Sequence, residues 1–355
     1  MKTIAIIGAN GYVGQHLVKA LAPHYQVTAL YRGAAILTPP IDGVDYMPLA
    51  DCKNTFDVVI NTAYNLSDTQ QKIASDNKAL LALIQKLSIQ HTQIIHLSSI
   101  AVFGFGLDKP IKPTAIKTGP DYNYVFSKVD MENKLVNAFP AQQLSIIRLG
   151  NVWGAANNSW TQPIADAITW SLPVLSPEKS YSNITFIDNI TAYTQYIIES
   201  EKQLLFHHLA EFNNISWQQV ISELSTCLGK VPIPIKEVFF YPKSISEELD
   251  NVFSGNLFTS IKKLKAGRFT AGFFPQRLFV FIQQQLAKRK GNTSHNKPLP
   301  PYQTDATFYW VLTTHKKFEL HVLAGWEAPH SWETCMQQTK QWLQHAGYIN
   351  EPIAP

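Results

Sequence analysis

The stretch that most constrains this chain is its first fourteen residues, Met1 to Gly14. Thr3 to Ile7 reads as a strand that runs into Gly8-Ala9-Asn10-Gly11-Tyr12-Val13-Gly14. A helix follows, with apolar positions at Val13, Leu17, Ala20 and Leu21, and Pro23 stops it. Three glycines at this spacing suit a dinucleotide. Gly8 permits a tight turn, Gly11 lets backbone approach a pyrophosphate, and Gly14 lets the helix lie close on the strand, whose partner helix end attracts negative charge. Asn10, Tyr12 and Val13 complete the turn and are candidate cofactor contacts with it. A glycine turn without a ligand is the plain alternative, but the flanking strand and helix are the context that the motif requires.

The elements that follow alternate strand and helix, which predicts a parallel sheet. Gln26–Tyr31 and Val44–Met47 read as strands two and three, joined through Pro39-Pro40 with no room for a full helix. Phe56–Asn61 is a buried strand ending in Thr62-Ala63-Tyr64, a helix is expected from about Thr69 to Gln90, and Gln93–Leu97 delivers Ser98-Ser99 at its carboxyl end. Open α/β sheets hold ligands at that edge, so Asn61, Thr62 and Ala63 join the candidate cofactor residues. The second strand ends in Tyr31-Arg32. NAD-binding versions usually carry an acid there for the ribose 2′-hydroxyl, whereas a 2′-phosphate calls for a cation. Tyr31 and Arg32 therefore point to NADP(H) ahead of NAD(H), with a solvated loop arginine as the other reading.

At 355 residues the chain can bury a large core and is long enough for two lobes. Its three cysteines, Cys52, Cys227 and Cys335, are widely spaced and suggest neither a disulfide framework nor a metal cluster. The apolar run Ile4–Ile7 breaks at Gly8, too short for a signal peptide, and no stretch approaches the ~18 apolar residues of a membrane span. A cytoplasmic location is expected.

Tyr124-Val125-Phe126-Ser127-Lys128 places a phenol and a cation four residues apart on one helix face. A neighbouring positive charge favours phenolate and brings tyrosine towards acid/base work near neutral pH. Such a pair on an exposed helix is usually only surface, so its value lies in its position after Ser99.

With these residues in place, the chain resembles the extended short-chain dehydrogenase/reductases, the NAD(P)-dependent epimerase/dehydratase group. The resemblance rests on Gly8-x-x-Gly11-x-x-Gly14, Ser98-Ser99-Ile100-Ala101-Val102-Phe103-Gly104, Tyr124-x-x-x-Lys128 followed by Glu132, and Ile146-Ile147-Arg148-Leu149-Gly150-Asn151-Val152-Trp153-Gly154. Leu323 to Pro329 and the helix leading to Trp342 extend it close to the end of the chain. It implies an α/β fold: a Rossmann-type doubly wound parallel sheet over residues 1–150 and a smaller, mostly C-terminal substrate lobe over 151–355, with some of its elements returning to the first domain. It also implies roles. Tyr124 would be the general acid/base, Lys128 would bind the nicotinamide ribose and lower the tyrosine's pKa, and Ser99 would hydrogen-bond the reacting oxygen. Asn77 would support a proton relay, although a helix asparagine can equally be a surface or capping residue.

Departures from the family pattern narrow the chemistry. Sugar-nucleotide 4,6-dehydratases follow their catalytic threonine with Asp-Glu, where this chain has Ile100-Ala101 after Ser99, so dehydration is not expected. Ser182 stands near the place where many nucleotide-sugar epimerases carry a diphosphate-gripping arginine, and Asp188-Asn189 resembles the hydroxysteroid dehydrogenase and dihydroflavonol reductase branches. The leading expectation is therefore an oxidoreductase interconverting a secondary alcohol and a ketone on a small, apolar substrate. A nucleotide-sugar epimerase or reductase is the alternative, and a non-catalytic dinucleotide-sensing protein the alternative from another class.

The carboxyl half is less informative. Helices are expected at about Thr161–Trp170, Asn189–Ser200 and Ser216–Leu228. His207 and His208 are adjacent on a strand and so face opposite ways, which speaks against a shared metal. Trp153, Trp160, Trp170 and Trp217 read as core. Gly291–Thr304 reads as a linker, after which the chain returns to finish the smaller lobe. Residues 257–290 form a basic amphipathic segment in which Ile261–Lys290 holds eight cations and no acid, leaving the rest of the +4 chain at net −4. Peripheral contact with an anionic membrane is expected of it, against solvated cations on a packed helix as the bland reading. Nucleic acid is not an expected partner, since no recognised binding module accompanies the patch. A homodimer completes the expected partners.

Overall fold

The computed structural model describes residues 1–33, 39–65, 67, 69–104, 112, 120–235, 308, 311–313 and 316–349. In chain order the elements are β1 (Thr3–Ile7), α1 (Tyr12–Leu21), β2 (Gln26–Tyr31), β3 (Asp45–Pro48), β4 (Phe56–Asn61), α2 (Gln70–Leu87), β5 (Ser88–Ser99) and α3 (Pro120–Ala138). There follow β6 (Leu144–Leu149), β7 (Asn151–Trp153), α4 (Thr161–Thr169), β8 (Pro173–Leu175), β9 (Ile184–Phe186), α5 (Ile187–Glu199), β10 (Phe206–Leu209), α6 (Trp217–Cys227), β11 (Ile233–Pro234) and α7 (Trp332–His345).

The central sheet has seven strands in the order β3-β2-β1-β4-β5-β6-β10, and every described pairing in it is parallel. Its inner strands carry the β-branched and small apolar runs Ile4-Ala5-Ile6-Ile7, Val58-Val59-Ile60 and Ile94-Ile95, all essentially without solvent exposure. Strands covered on both faces read in this way, as runs and not as alternation. On one face, Ala5, Leu30, Val59, Ile94 and Ile146 pack with Leu80 and Ile84 of α2 and Met131 and Leu135 of α3. The doubly wound parallel sheet expected from the sequence is the architecture observed.

Element edges differ from expectation where side chains intervene. The helix expected to reach Gln90 ends at Leu87, and residues 88–92 extend β5. Thr92 Oγ1 donates to Phe56 O at 2.6 Å and accepts from Ile89 N at 2.8 Å, and the pairing with β4 shifts register between Phe56 and Val58. These bonds recruit the segment into the sheet. At the other end, Thr69 caps α2 by accepting from Lys72 N.

The described chain divides into two compact units. The first comprises residues 1–162, 181–216 and 315–355, and the second residues 163–180 and 217–314. Within the second, β11 pairs with β8, and Trp217, Val220, Ile221 and Leu224 of α6 are buried. Residues 316–349 belong to the first unit. His208 and His321 exchange backbone hydrogen bonds at 2.7 and 3.0 Å, and Trp153 Nε1 donates to Thr339 Oγ1 of α7 at 3.0 Å. These bonds draw the segment onto the edge of the first unit. The linker at 291–304 and the basic segment 257–290 lie outside the described residues.

Candidate active site

The glycine turn is closed on itself. Gly8 has φ +88°, and the N–H groups of Gly8 and Ala9 both donate to Leu30 O, at 3.0 and 3.2 Å. A Cβ on Gly14 would stand 2.2 Å from Gly8 O, so only glycine lets α1 approach the end of β1 this closely. Gly11 is the N-cap of α1 and no side chain caps that end. A helix start of this kind leaves N–H groups directed at an anion. Tyr12 is turned away from the turn, its hydroxyl donating to Ala155 O at 3.0 Å, and burial pushes its pKa up. Asn10 contributes its carbonyl to Gln15 Nε2, and Val13 is half-buried on α1.

The end of β4 leans over this turn. Thr62 Oγ1 donates to Ile7 O at 2.8 Å and lies 3.2 Å from Gly8 O. Asn61 is wholly buried, with its amide nitrogen 3.0 Å from His96 Nδ1 and its amide oxygen accepting from Ala63 N at 3.1 Å. Its side chain thus shapes the strand end and supplies no open polar group. Tyr31 is buried and Arg32 exposed. The Arg32 guanidinium is held by Asn65 Oδ1 at 2.5 Å and Tyr64 O at 3.0 Å.

Ser99, Tyr124 and Lys128 meet at the carboxyl edge of the sheet. Ser99 Oγ accepts from Ala101 N at 3.1 Å and shares a hydrogen bond with Tyr124. Lys128 is 4% exposed, donates to Leu97 O at 2.9 Å, and holds its ammonium 5.0 Å from the centre of the Tyr64 ring and 5.8 Å from that of Tyr124. The Tyr64 and Tyr124 rings meet edge to face, 5.4 Å between centres.

The electrostatics differ from the sequence expectation. Burial pushes the Tyr124 phenol up to about 12, although the Ser99 hydrogen bond pulls it down. Burial also brings the Lys128 ammonium down to about 8, against the pull of Glu132. Desolvation prevails over the Ser99 hydrogen bond, because removing a phenolate from water costs more than that one dipole returns. Near neutral pH the phenol is protonated and ready to donate.

Behind these residues runs a polar layer of which the sequence reading named only parts. Asn77 is 1% exposed, its amide nitrogen donating to Ser127 O at 3.0 Å and Asp130 Oδ2 at 2.8 Å, its oxygen accepting from Asn65 Nδ2 at 2.9 Å. It is neither a surface nor a capping residue. Glu132, one turn below Lys128, accepts from Arg148 Nη2 at 2.7 Å, Arg148 Nε at 3.1 Å and Ser98 Oγ at 2.5 Å. His207 and His208 do face opposite ways: His207 bonds Tyr193 at 2.6 Å, and His208 lies 3.3 Å from Arg148 Nη1. Tyr64 and Asn65 were not among the expected site residues: Tyr64 meets Tyr124 and, 32 residues back, Arg32, while Asn65 joins Arg32 33 residues back with Asn77 and Ser127 12 and 62 residues on. Among the described residues, no cluster of three His, Cys, Asp or Glu could hold a metal, and no helix is long and apolar enough to cross a membrane.

Residues 1–237 match the family described as RmlD substrate binding domain. No curated protein matches the chain. Among solved structures, the Bordetella bronchiseptica enzyme WbmG in complex with NAD is similar over 98% of this chain and 96% of that one, at 14% identity and TM-score 0.59. The UDP-glucuronic acid 4-epimerase of Bacillus cereus, in complex with UDP-glucuronic acid and NAD, is similar over 66% and 85%, at 16% identity and TM-score 0.51. A UDP-N-acetylglucosamine 4-epimerase from Methanobrevibacter ruminantium M1, in complex with UDP-N-acetylmuramic acid, covers 66% and 84%, at 18% identity and TM-score 0.51. At such identities the likeness is one of fold. With the family match spanning two thirds of its length, the chain belongs to the RmlD substrate-binding-domain family, within the extended short-chain dehydrogenase/reductases, the NAD(P)-dependent epimerase/dehydratase group.

Proposed function

We propose that this protein is an NAD(P)-dependent oxidoreductase that interconverts a secondary alcohol and a ketone. The observation that carries the reading is the convergence of Ser99, Tyr124 and Lys128 at the carboxyl edge of the sheet. The glycine turn and the uncapped start of α1 fit a dinucleotide pyrophosphate, because Gly8 and Gly14 let the helix start pack tightly on the strand end and no side chain caps the helix N–H groups. When bound, the cofactor supplies or accepts the hydride. Tyr124, protonated near neutral pH, gives its phenolic proton to the carbonyl oxygen in reduction and takes it back in oxidation. Ser99 orients that oxygen by hydrogen bonding, and Lys128 holds the cofactor ribose and offsets negative charge as it develops on Tyr124. Asn77 holds α3 in place through Ser127 and Asp130.

The cation at the end of β2 and the lack of an acid there favour NADP(H), with Arg32 presented by Asn65 and the Tyr64 carbonyl. For the substrate, the family match and the two UDP-sugar epimerases among the similar folds favour a nucleotide-linked sugar over an apolar ketone. Alcohol oxidation is common to a reductase and to an epimerase that re-reduces the ketone from its other face. The second compact unit serves in this reading as the substrate lobe. The test follows NAD(P)H absorbance with a panel of UDP-sugars and apolar ketones, comparing wild type with Tyr124→Phe. A loss of roughly 10²-fold in turnover is expected, the scale of one acid/base group, with cofactor affinity unchanged. Near-normal turnover in the variant would remove Tyr124 from the mechanism.

A further inference from the structure

Four buried side chains next to the proposed reactive groups pack as one apolar cluster: Val102 and Phe103 of the turn that follows Ser99, and Val125 and Val129 of α3, which directly follow Tyr124 and Lys128. Ala101, Tyr122 and Phe126 of the same two elements join it. Its one member from elsewhere among the described residues is Phe318, whose ring centre lies 5.3 Å from that of Phe103. The antiparallel bridge between His208 and His321 carries residues 318–316 past Leu209. Leu209, Leu149 and Ser99 are level across β10, β6 and β5, so this segment lies along the carboxyl edge that holds the site. Two buried asparagines clamp it there. Asn183, in left-handed backbone at φ +45°, donates to Lys316 O at 2.8 Å and accepts from Phe318 N at 2.9 Å. Asn213 donates to Phe318 O at 2.7 Å. The Phe318 backbone is thus bonded on both sides, and its ring meets Phe103 from a fixed position.

We infer that Phe318 is a positioning residue for the reaction proposed above, on which the inference rests. Its ring holds the turn after Ser99 against α3, and so keeps Ser99 Oγ and the Tyr124 hydroxyl aimed at one oxygen. Ser99 Oγ opens that turn by accepting from Ala101 N at 3.1 Å, and Gly104 N closes it on Ala101 O at 2.8 Å. A single short turn has few bonds of its own, so its place is set by what Val102 and Phe103 pack against. The sheet supplies His208 and Arg148, each 5.3 Å from the centre of the Phe103 ring. Phe318 supplies the ring contact from outside the sheet. The stakes are high, since a misplacement of about 1 Å between reacting groups can cost roughly 10²-fold in rate.

The test compares Phe318→Ala and Phe318→Leu with wild type, each as the full chain. Hydrogen exchange read by mass spectrometry follows the turn in peptides covering 99–104, and the glycine turn with α1 in peptides covering 3–21. Phe318→Ala is expected to speed exchange in 99–104 by about 3- to 10-fold, the scale of one aromatic pair, and to leave 3–21 unchanged. Turnover on the panel of UDP-sugars and apolar ketones is expected to fall roughly 10- to 100-fold in kcat, with KM and NADPH affinity unchanged. Phe318→Leu, which refills much of the space, is expected to restore both readouts to within about threefold of wild type. Exchange that rises equally in both regions marks a general loss of stability and overturns the inference, as does an unchanged kcat in Phe318→Ala; the proposed activity survives either result. A wild type that turns over none of the panel overturns the proposed activity, and the exchange data then decide alone: without a selective rise in 99–104 the positioning role falls too.

Discussion

The buried pair Glu132–Arg148 allows a sharp test of the polar layer behind the site. Both residues are nearly without exposure, at 5% and 6%, and two hydrogen bonds of 2.7 and 3.1 Å join them. The guanidinium lies 4.3 Å from the centre of the Phe206 ring and 5.3 Å from that of Phe103, and neither ring can accept the hydrogen bonds that a lost carboxylate leaves unmade. His208 offers no substitute, since burial and Arg148 itself lower its pKa to about 4 and keep it neutral. Glu132→Ala strands a buried cation, which costs about 3–5 kcal/mol. It also orphans Ser98 Oγ, bonded to Glu132 at 2.5 Å. Removing both charges in Glu132→Leu/Arg148→Met is expected to be far milder than the sum of the two single changes, because apolar replacements of a buried pair are often neutral. Urea unfolding followed by circular dichroism, with linear extrapolation to water, measures each variant. A Glu132→Ala cost below about 1 kcal/mol, or a double variant that loses the full sum, would refute the account of an undissipated buried charge.

Two further predictions use the same layer. The fall of Lys128 from 10.5 to about 8 means that its buried charge destabilises the fold by about 3 kcal/mol below pH 8, a cost relieved as pH rises towards 10.5. Lys128→Met is therefore expected to be more stable than wild type at pH 7, with the gap narrowing by pH 10; a gap independent of pH would show that the lysine is not desolvated. Arg32→Ala is expected to weaken NADPH by about 10- to 150-fold, the worth of a charge-assisted hydrogen bond, and to leave NADH nearly unchanged. Tighter binding of NADH than NADPH by wild type would reject the proposed 2′-phosphate contact.

The local signals carried the framework. Glycine spacing, β-branched runs and Pro23 are properties of neighbouring residues, so β1, β2, β4 and α1 were readable to within a residue or two. The extension of β5 was not, since it depends on Thr92 reaching Phe56 across the sheet. Among site residues, Ser99, Tyr124 and Lys128 were legible because a strand end and one helix turn fix their separation. Tyr124's raised pKa was not, because desolvation depends on what the fold packs around it. Arg32 shows the same limit: its position at a strand end was evident, but its capture by Asn65 joins residues 33 apart.

The way the first unit is assembled from 1–162, 181–216 and 315–355 has a bearing on synthesis. A growing chain delivers β10 at Leu209 long before α7 at His345, and at ~5–20 residues per second the interval is on the order of ten seconds. Through that interval Trp153 lacks its Thr339 partner and Phe103 lacks the Phe318 ring that packs 5.3 Å from it. The nascent protein thus holds all seven strands of the sheet with Trp153 and Phe103 still uncovered, and the segment that ends in α7 closes over them last.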